Sequence, residues 1–144
     1  MNAALLAGPV AAGAGFLFLD QWTKKLVQGR TALACLSLGN VLRVRRVAHA
    51  SAAYQRGAFR IALVLMWLAA LVSSILLHRT GVWFQGQLAL CGLAIALAGA
   101  AGNLLDILRR HYIVNFIDLG WWPVFNLADA GIILGLALAL LYRT

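Results

Sequence analysis

Apolar residues run in four long blocks, 3–19, 59–77, 88–105 and 124–141, and the charged residues collect between them. Each block approaches the length of about 20 apolar residues that crosses a bilayer as a helix, so the pattern predicts four transmembrane helices. The first block ends at Asp20, and the second is interrupted only by Arg60 at one end. The first lacks a basic leading segment and runs into Asp-Gln-Trp-Thr-Lys-Lys rather than a small-residue cleavage site, which predicts a retained helix and not a signal peptide. Residues 78–87 make a short turn, whereas 21–58 are long enough to hold structure of their own. Within them Asn40-Val-Leu-Arg-Val-Arg-Arg-Val47 alternates apolar and basic side chains, the period of a half-buried strand. The predicted fold is therefore an all-α membrane protein, one domain over residues 1–144, with a small β-sheet-like segment in the first long loop. Four spans put both termini on one side, and the first loop and the 106–123 loop on the other.

Composition narrows the function classes. Hydrophobic residues make up 63% of the chain and charged residues 11%, against about 45–50% and about 25% in a soluble domain. A disulfide scaffold, a disordered tail and a soluble nucleotide-binding domain are excluded, since each needs polar surface that is missing. Twelve Lys and Arg oppose four Asp, with no Glu, for a net charge of +8. The basic residues lie between apolar spans, which points to anionic lipid headgroups and away from nucleic acid. Cys35 and Cys91 read as small apolar residues, and His49, His78 and His111 lack metal-ligand spacing, so no metal is expected. No cofactor is expected either, because the glycines lie inside spans and form no phosphate loop or dinucleotide fingerprint. The five tryptophans fall mostly near span ends, where indole rings anchor at headgroup level.

Two of the four acids, Asp106 and Asp129, fall at or inside predicted helices. A carboxyl at that depth costs about 2.5–3.5 kcal/mol, so such groups line a cavity or pair with one another. Asn103-Leu-Leu-Asp106 and Asn126-Leu-Ala-Asp129 each set an amide and an acid three residues apart, and the two pairs are expected to converge on one polar pocket. The plainer reading is interhelical hydrogen bonding in a small-residue seam, for which Gly99-Ala-Ala-Gly-Asn103 is suited.

Together these segments resemble the lipoprotein signal peptidases, or signal peptidase II, small four-helix membrane aspartyl peptidases of bacteria. Asp20-Gln-Trp-Thr-Lys24 is similar to the family's D-x-x-[ST]-K motif, Ala98-Gly-Ala-Ala-Gly-Asn-Leu-Leu-Asp106 to its G-G-A-x-G-N-x-x-D-R motif, and Phe125-Asn-Leu-Ala-Asp129 to its F-N-x-A-D motif. The resemblance implies cleavage before the lipid-modified cysteine of a prolipoprotein by two aspartates, one activating water and one polarising the scissile carbonyl. Asp129 corresponds to one of them. The other falls on Asn115, nine residues after Asp106, and an amide cannot shuttle a proton. The Arg expected after Asp106 is Ile107, and the family's N-x-G-A-A-F segment reads His49-Ala-Ser-Ala-Ala-Tyr54. The resemblance thus assigns the catalytic positions to Asp129 and the degenerate Asn115, and the pocket to Asp20, Lys24, His49, Asn103, Asp106 and Asn126. A displaced dyad, pairing Asp129 with Asp118 or Asp106, is the alternative, and for Asp118 it requires 115–119 to form a helical turn.

Orientation divides the arguments. Every Lys and Arg except Arg79 and Arg143 lies on the side of the two large loops, which the positive-inside rule would put in the cytoplasm. The resemblance implies cytoplasmic termini in a bacterial inner membrane, and it is followed here because the architecture is the more specific constraint. Arg43, Arg45 and Arg46 then become a surface for docking acidic groups. The function expected is that of a non-proteolytic accessory subunit, binding membrane lipids and a lipoprotein or other membrane-embedded partner. The alternative is an active aspartic-type endopeptidase.

Overall fold

The computed structural model describes residues 3–29, 37–38 and 42–143, with side chains for 5–29 and 47–143. The element order is α1 (Ala3–Gly29), β1 (Ser37–Leu38), β2 (Leu42–Ala50), a short 3-10 helix (Ala52–Gln55), α2 (Gly57–Arg79), α3 (Gln87–Arg110), β3 (Tyr112–Asp118) and α4 (Leu127–Leu141). Cys35, and Asn40 and Val41 at the start of the alternating stretch, lie outside the described residues, as do the side chains of Arg43, Arg45 and Arg46.

The architecture is that of a mostly helical membrane protein with a small sheet. α2 and α3 are each long and apolar enough to cross a membrane, while α4, at 15 residues, is shorter. α2 buries none of its residues, and large apolar side chains such as Ile61, Met66 and Val72 are exposed along it. A helix apolar all round and unburied by protein needs lipid around it.

α3 is the central element, touching α1, α2, α4 and β3. Its closest partner is α4, and small residues set the distance. A Cβ on Gly92 would lie 2.6 Å from the Gly135 carbonyl oxygen, and one on Gly135 would lie 2.7 Å from the Ala96 nitrogen. The backbones meet directly there, which is how helices gain dispersion contact where lipid is as apolar as leucine. The seam places the first turn of α4 against α3 next to Asn103. At the far end Phe84, Ala89, Leu90 and Ala139 form an apolar cluster.

The sheet departs from expectation. β2 matches the alternating stretch, but its long partner is β3, in a segment expected to be loop. β2 and β3 run antiparallel, pairing Ala48 with Val114 and Val47 with Asn115, with an irregularity between Val44 and Val47; β1 adds to the other edge of β2. Residues 115–118 are therefore strand and not a helical turn. The reason lies in Tyr112-Ile-Val-Asn-Phe-Ile-Asp118, whose β-branched and aromatic residues pack with Val114 and Phe116 buried. After β3 the chain turns through Gly120, at φ 79°, and Phe125 pairs back onto Ile117, with Phe125 N donating to the Ile117 carbonyl at 3.0 Å. This fold-back delivers Asn126 to the flank of β3.

Helix bounds shift as well. α1 continues past Leu19 to Gly29, α3 continues past Asp106 to Arg110, and α4 begins only at Leu127. Asn126 therefore precedes its helix as the N-cap, and does not share a helix face with Asp129.

Replacing Gly135 by Val is expected to lower stability by about 1–3 kcal/mol or more, since two backbones would have to separate. Gly15→Ala, at a helical position with nothing within 4 Å, is expected to be neutral or slightly stabilising. Thermal unfolding in detergent compares the two.

Candidate functional site

The site is built on an ion network buried where α1, α3, α4 and β3 meet. Lys24 is fully buried, and its Nζ donates to Asp20 Oδ2 at 2.9 Å, Asp106 Oδ2 at 3.0 Å and Asn103 Oδ1 at 3.0 Å. An ammonium has three protons, and all three are used. Asp20 stands one turn before Lys24 on α1, and Arg110 one turn after Asp106 on α3, where it pairs with Asp106 Oδ1. Both buried acids carry their cation at i,i+4, so each helix brings a pair.

The remaining oxygens of these acids hold the architecture. Asp20 Oδ1 accepts from the backbone N–H of Ala128 at 2.9 Å, satisfying a free donor in the first turn of α4. Gln21 supports it, donating from Nε2 to Asp20 Oδ2 and to the Gly102 carbonyl, each at 3.1 Å. Gly102 must lack a side chain here, because a Cβ would collide with the Asp20 carboxylate. Asp106 Oδ2 also accepts from the Val114 N–H at 3.4 Å, tying α3 to β3.

Asn103 carries the network to Asp129. Its Oδ1 accepts from Lys24, and its Nδ2 donates to Asp129 Oδ1 at 2.7 Å. Asp129 and Asn126 form a capping box: Asp129 N donates to Asn126 Oδ1 at 2.9 Å and Asn126 N donates to Asp129 Oδ2 at 3.1 Å. The Asn126 amide is fully buried and its Nδ2 faces three acceptors, Asn115 Oδ1 at 2.8 Å, Asn103 Oδ1 at 3.0 Å and the Val114 carbonyl at 3.2 Å. Asp129 itself is half-buried, and among the described residues no cation contacts it. It is the one carboxylate of the cluster held by amides alone.

The two N-x-x-D pairs therefore converge, and Asp20, Lys24 and Asn115 join them. His49 does not: it is exposed on β2, opposite Ile113. Asp118 lies on β3 three residues after Asn115, hence on the other face of the strand, where its Oδ1 accepts from the Gly120 N–H at 2.9 Å. Asp106 is directed to Lys24, Arg110 and Val114. Position 107, expected to be Arg, is a buried Ile, and Arg110 one turn further supplies the guanidinium to Asp106. Arg110 and Gln21 are the members that sequence reasoning missed; the i,i+4 spacing of Asp106 and Arg110 was the available signal for Arg110. Among the described residues no group of three acidic, His or Cys side chains is placed to hold a metal.

A cavity of about 310 Å³ between α2 and α3 meets this network at Asn103. Leu63, Met66, Trp67, Leu97 and Leu104 line it, with Asn103 as its polar member, and Trp67 Nε1 donates to the Leu97 carbonyl at 3.0 Å.

The fold is shared with known proteins. The family model described as Signal peptidase (SPase) II matches residues 13–144. The chain belongs to the signal peptidase II family. A lipoprotein signal peptidase of Halothermothrix orenii is 30% identical over 132 residues, covering 88% of each chain. One from Rhodococcus jostii is 35% identical over 108 residues, 68% of this chain and 52% of the relative, and one from Moorella thermoacetica is 60% identical over 43 residues, 30% and 29%. A solved bacterial membrane enzyme at 2.3 Å superposes with a TM-score of 0.75 at 17% identity, covering 92% of this chain and 85% of its own, and so shares the fold. The signal peptidase II family is one of aspartic-type proteases of bacterial inner membranes that process lipoproteins.

Replacing Lys24 by Met leaves Asp20 and Asp106 without their shared cation. The expected loss is about 3–5 kcal/mol, read as the unfolding midpoint in detergent. Adding Asp20→Asn to Lys24→Met should lose less than the two single changes summed; strict additivity would show that the pair does not act as a unit.

Proposed function

We propose that the chain is a four-span protein with cytoplasmic termini that uses the signal peptidase II scaffold to bind a lipid-modified precursor or another membrane-embedded partner. Its role is that of an accessory subunit, its aspartyl dyad broken at Asn115. The observation that supports this is the neighbourhood of Asp129. The side chain reaching the site from β3 is the Asn115 amide, held by Asn126 Nδ2 at 2.8 Å, at the position the family motif gives to an aspartate. An amide keeps the hydrogen bonding of that position and loses its proton transfer, so water activation and carbonyl polarisation no longer have two acids to divide between them.

The alternative peptidase, with a displaced dyad, has less support. Asp118 is on the opposite strand face from Asn115, and Asp106 is directed to two cations. The apolar cavity with Asn103 as its polar member suits a ligand that carries acyl chains beside a polar backbone. The docking of acidic groups on the partner is assigned to Arg43, Arg45 and Arg46 of β2.

The test is cleavage of a diacylglyceryl-modified precursor in liposomes. The natural chain and Asp129→Asn are expected to release no signal peptide, and Asn115→Asp is expected to gain cleavage by about 10²–10⁴-fold over background, the usual worth of a positioned acid or base. Cleavage by the natural chain that vanishes in Asp129→Asn would establish a working peptidase and overturn the accessory reading.

A further inference from the structure

Arg60 lies in the first turn of α2, at the same end of the molecule as the ion network but outside it. Its Nη1 donates to His111 Nδ1 at 3.3 Å, and His111 caps the C-terminus of α3 at φ 62°. Its Nε is buried and has no hydrogen-bond partner among the described residues. A guanidinium is always charged, and a buried N–H of such a group calls for an acceptor. Three of the four acids, Asp20, Asp106 and Asp129, are directed into the buried network.

The space in front of Arg60 is a cavity of about 300 Å³, otherwise lined by Gly57, Ile61, Val64, Leu65 and Leu108. Arg60 therefore sets one cationic fork beside an apolar groove along α2, a helix with no fully buried residue. We propose that this is a binding site for an anionic phospholipid, with the phosphate on the Arg60 guanidinium and one acyl chain along Ile61, Val64 and Leu65. The occupant is argued from charge and shape together. A phosphate diester offers two anionic oxygens that the fork of a guanidinium binds side by side, and the attached chain fills an apolar lining that a free ion would leave open. The chain's excess of twelve cations over four acids favours an anionic over a zwitterionic lipid.

The test is native mass spectrometry of the intact chain released from detergent micelles containing equal phosphatidylglycerol and phosphatidylcholine. One phosphatidylglycerol is expected to be retained with about tenfold preference, as a charge-assisted hydrogen bond implies. Arg60→Gln should abolish the preference, and Val64→Trp, which fills the cavity and leaves the guanidinium, should lower phosphatidylglycerol retention. Arg79→Gln, at the other end of α2, should change nothing. Equal retention of the two lipids by the natural chain would overturn the proposal, as would unchanged retention in Val64→Trp, which decides the matter even if Arg60→Gln fails to fold. None of these outcomes depends on whether precursors are cleaved.

Discussion

Everything at the functional end of the molecule depends on one ammonium group. Lys24 sits with no exposure between Asp20 and Asp106 and donates its third proton to Asn103. The two acids are then free to use their other lone pairs on backbone N–H groups, Asp20 on Ala128 of α4 and Asp106 on Val114 of β3. One charge thus links α1 and α3 directly, and α4 and β3 through the carboxylates it neutralises. Buried charges of this kind are costly unless every partner is in place, so the network specifies a single arrangement of four elements more sharply than apolar contact would.

The constraint explains the shape of its surroundings. Small residues along α3 and α4 bring the two helices close enough for Asn103 to reach Asp129 at 2.7 Å, and the bare backbone at Gly102 leaves room for the Asp20 carboxylate. The fold-back of Phe125 onto Ile117 places Asn126 so that its side chain caps α4 and touches β3 in the same move. Asp129 is left at the margin, half-buried and held by amides, while the other two acids are committed to cations. Asn103, which holds Asp129, also lines the apolar cavity between α2 and α3.

The scaffold is that of the signal peptidase II family, and Asn115, at a position the family motif gives to an aspartate, accepts a hydrogen bond from Asn126 Nδ2 at 2.8 Å. Hydrogen bonding alone tolerates an amide there; only proton transfer distinguishes the two. The same logic covers Ile107 and Arg110, where the guanidinium reaches Asp106 from one helical turn further along instead of from the adjacent position.

The sequence by itself determined the four apolar blocks, the membrane class, the strand before residue 50 and the convergence of Asn103, Asp106, Asn126 and Asp129, because hydropathy, period-two alternation and the depth of a carboxyl are local properties. The acid-to-base spacing of Asp20 with Lys24 was equally legible. Only the tertiary structure decided that 112–118 is a strand, since a seven-residue segment of mostly apolar residues takes its conformation from the β2 edge that pairs with it. The same holds for Asn126, a cap and not a helix-face residue, because the fold-back at Gly120 fixes where α4 starts. It also set His49 apart and turned Asp118 to the opposite face from Asn115, since which side of a strand meets the core is settled by register, and register is a property of two segments and not of one.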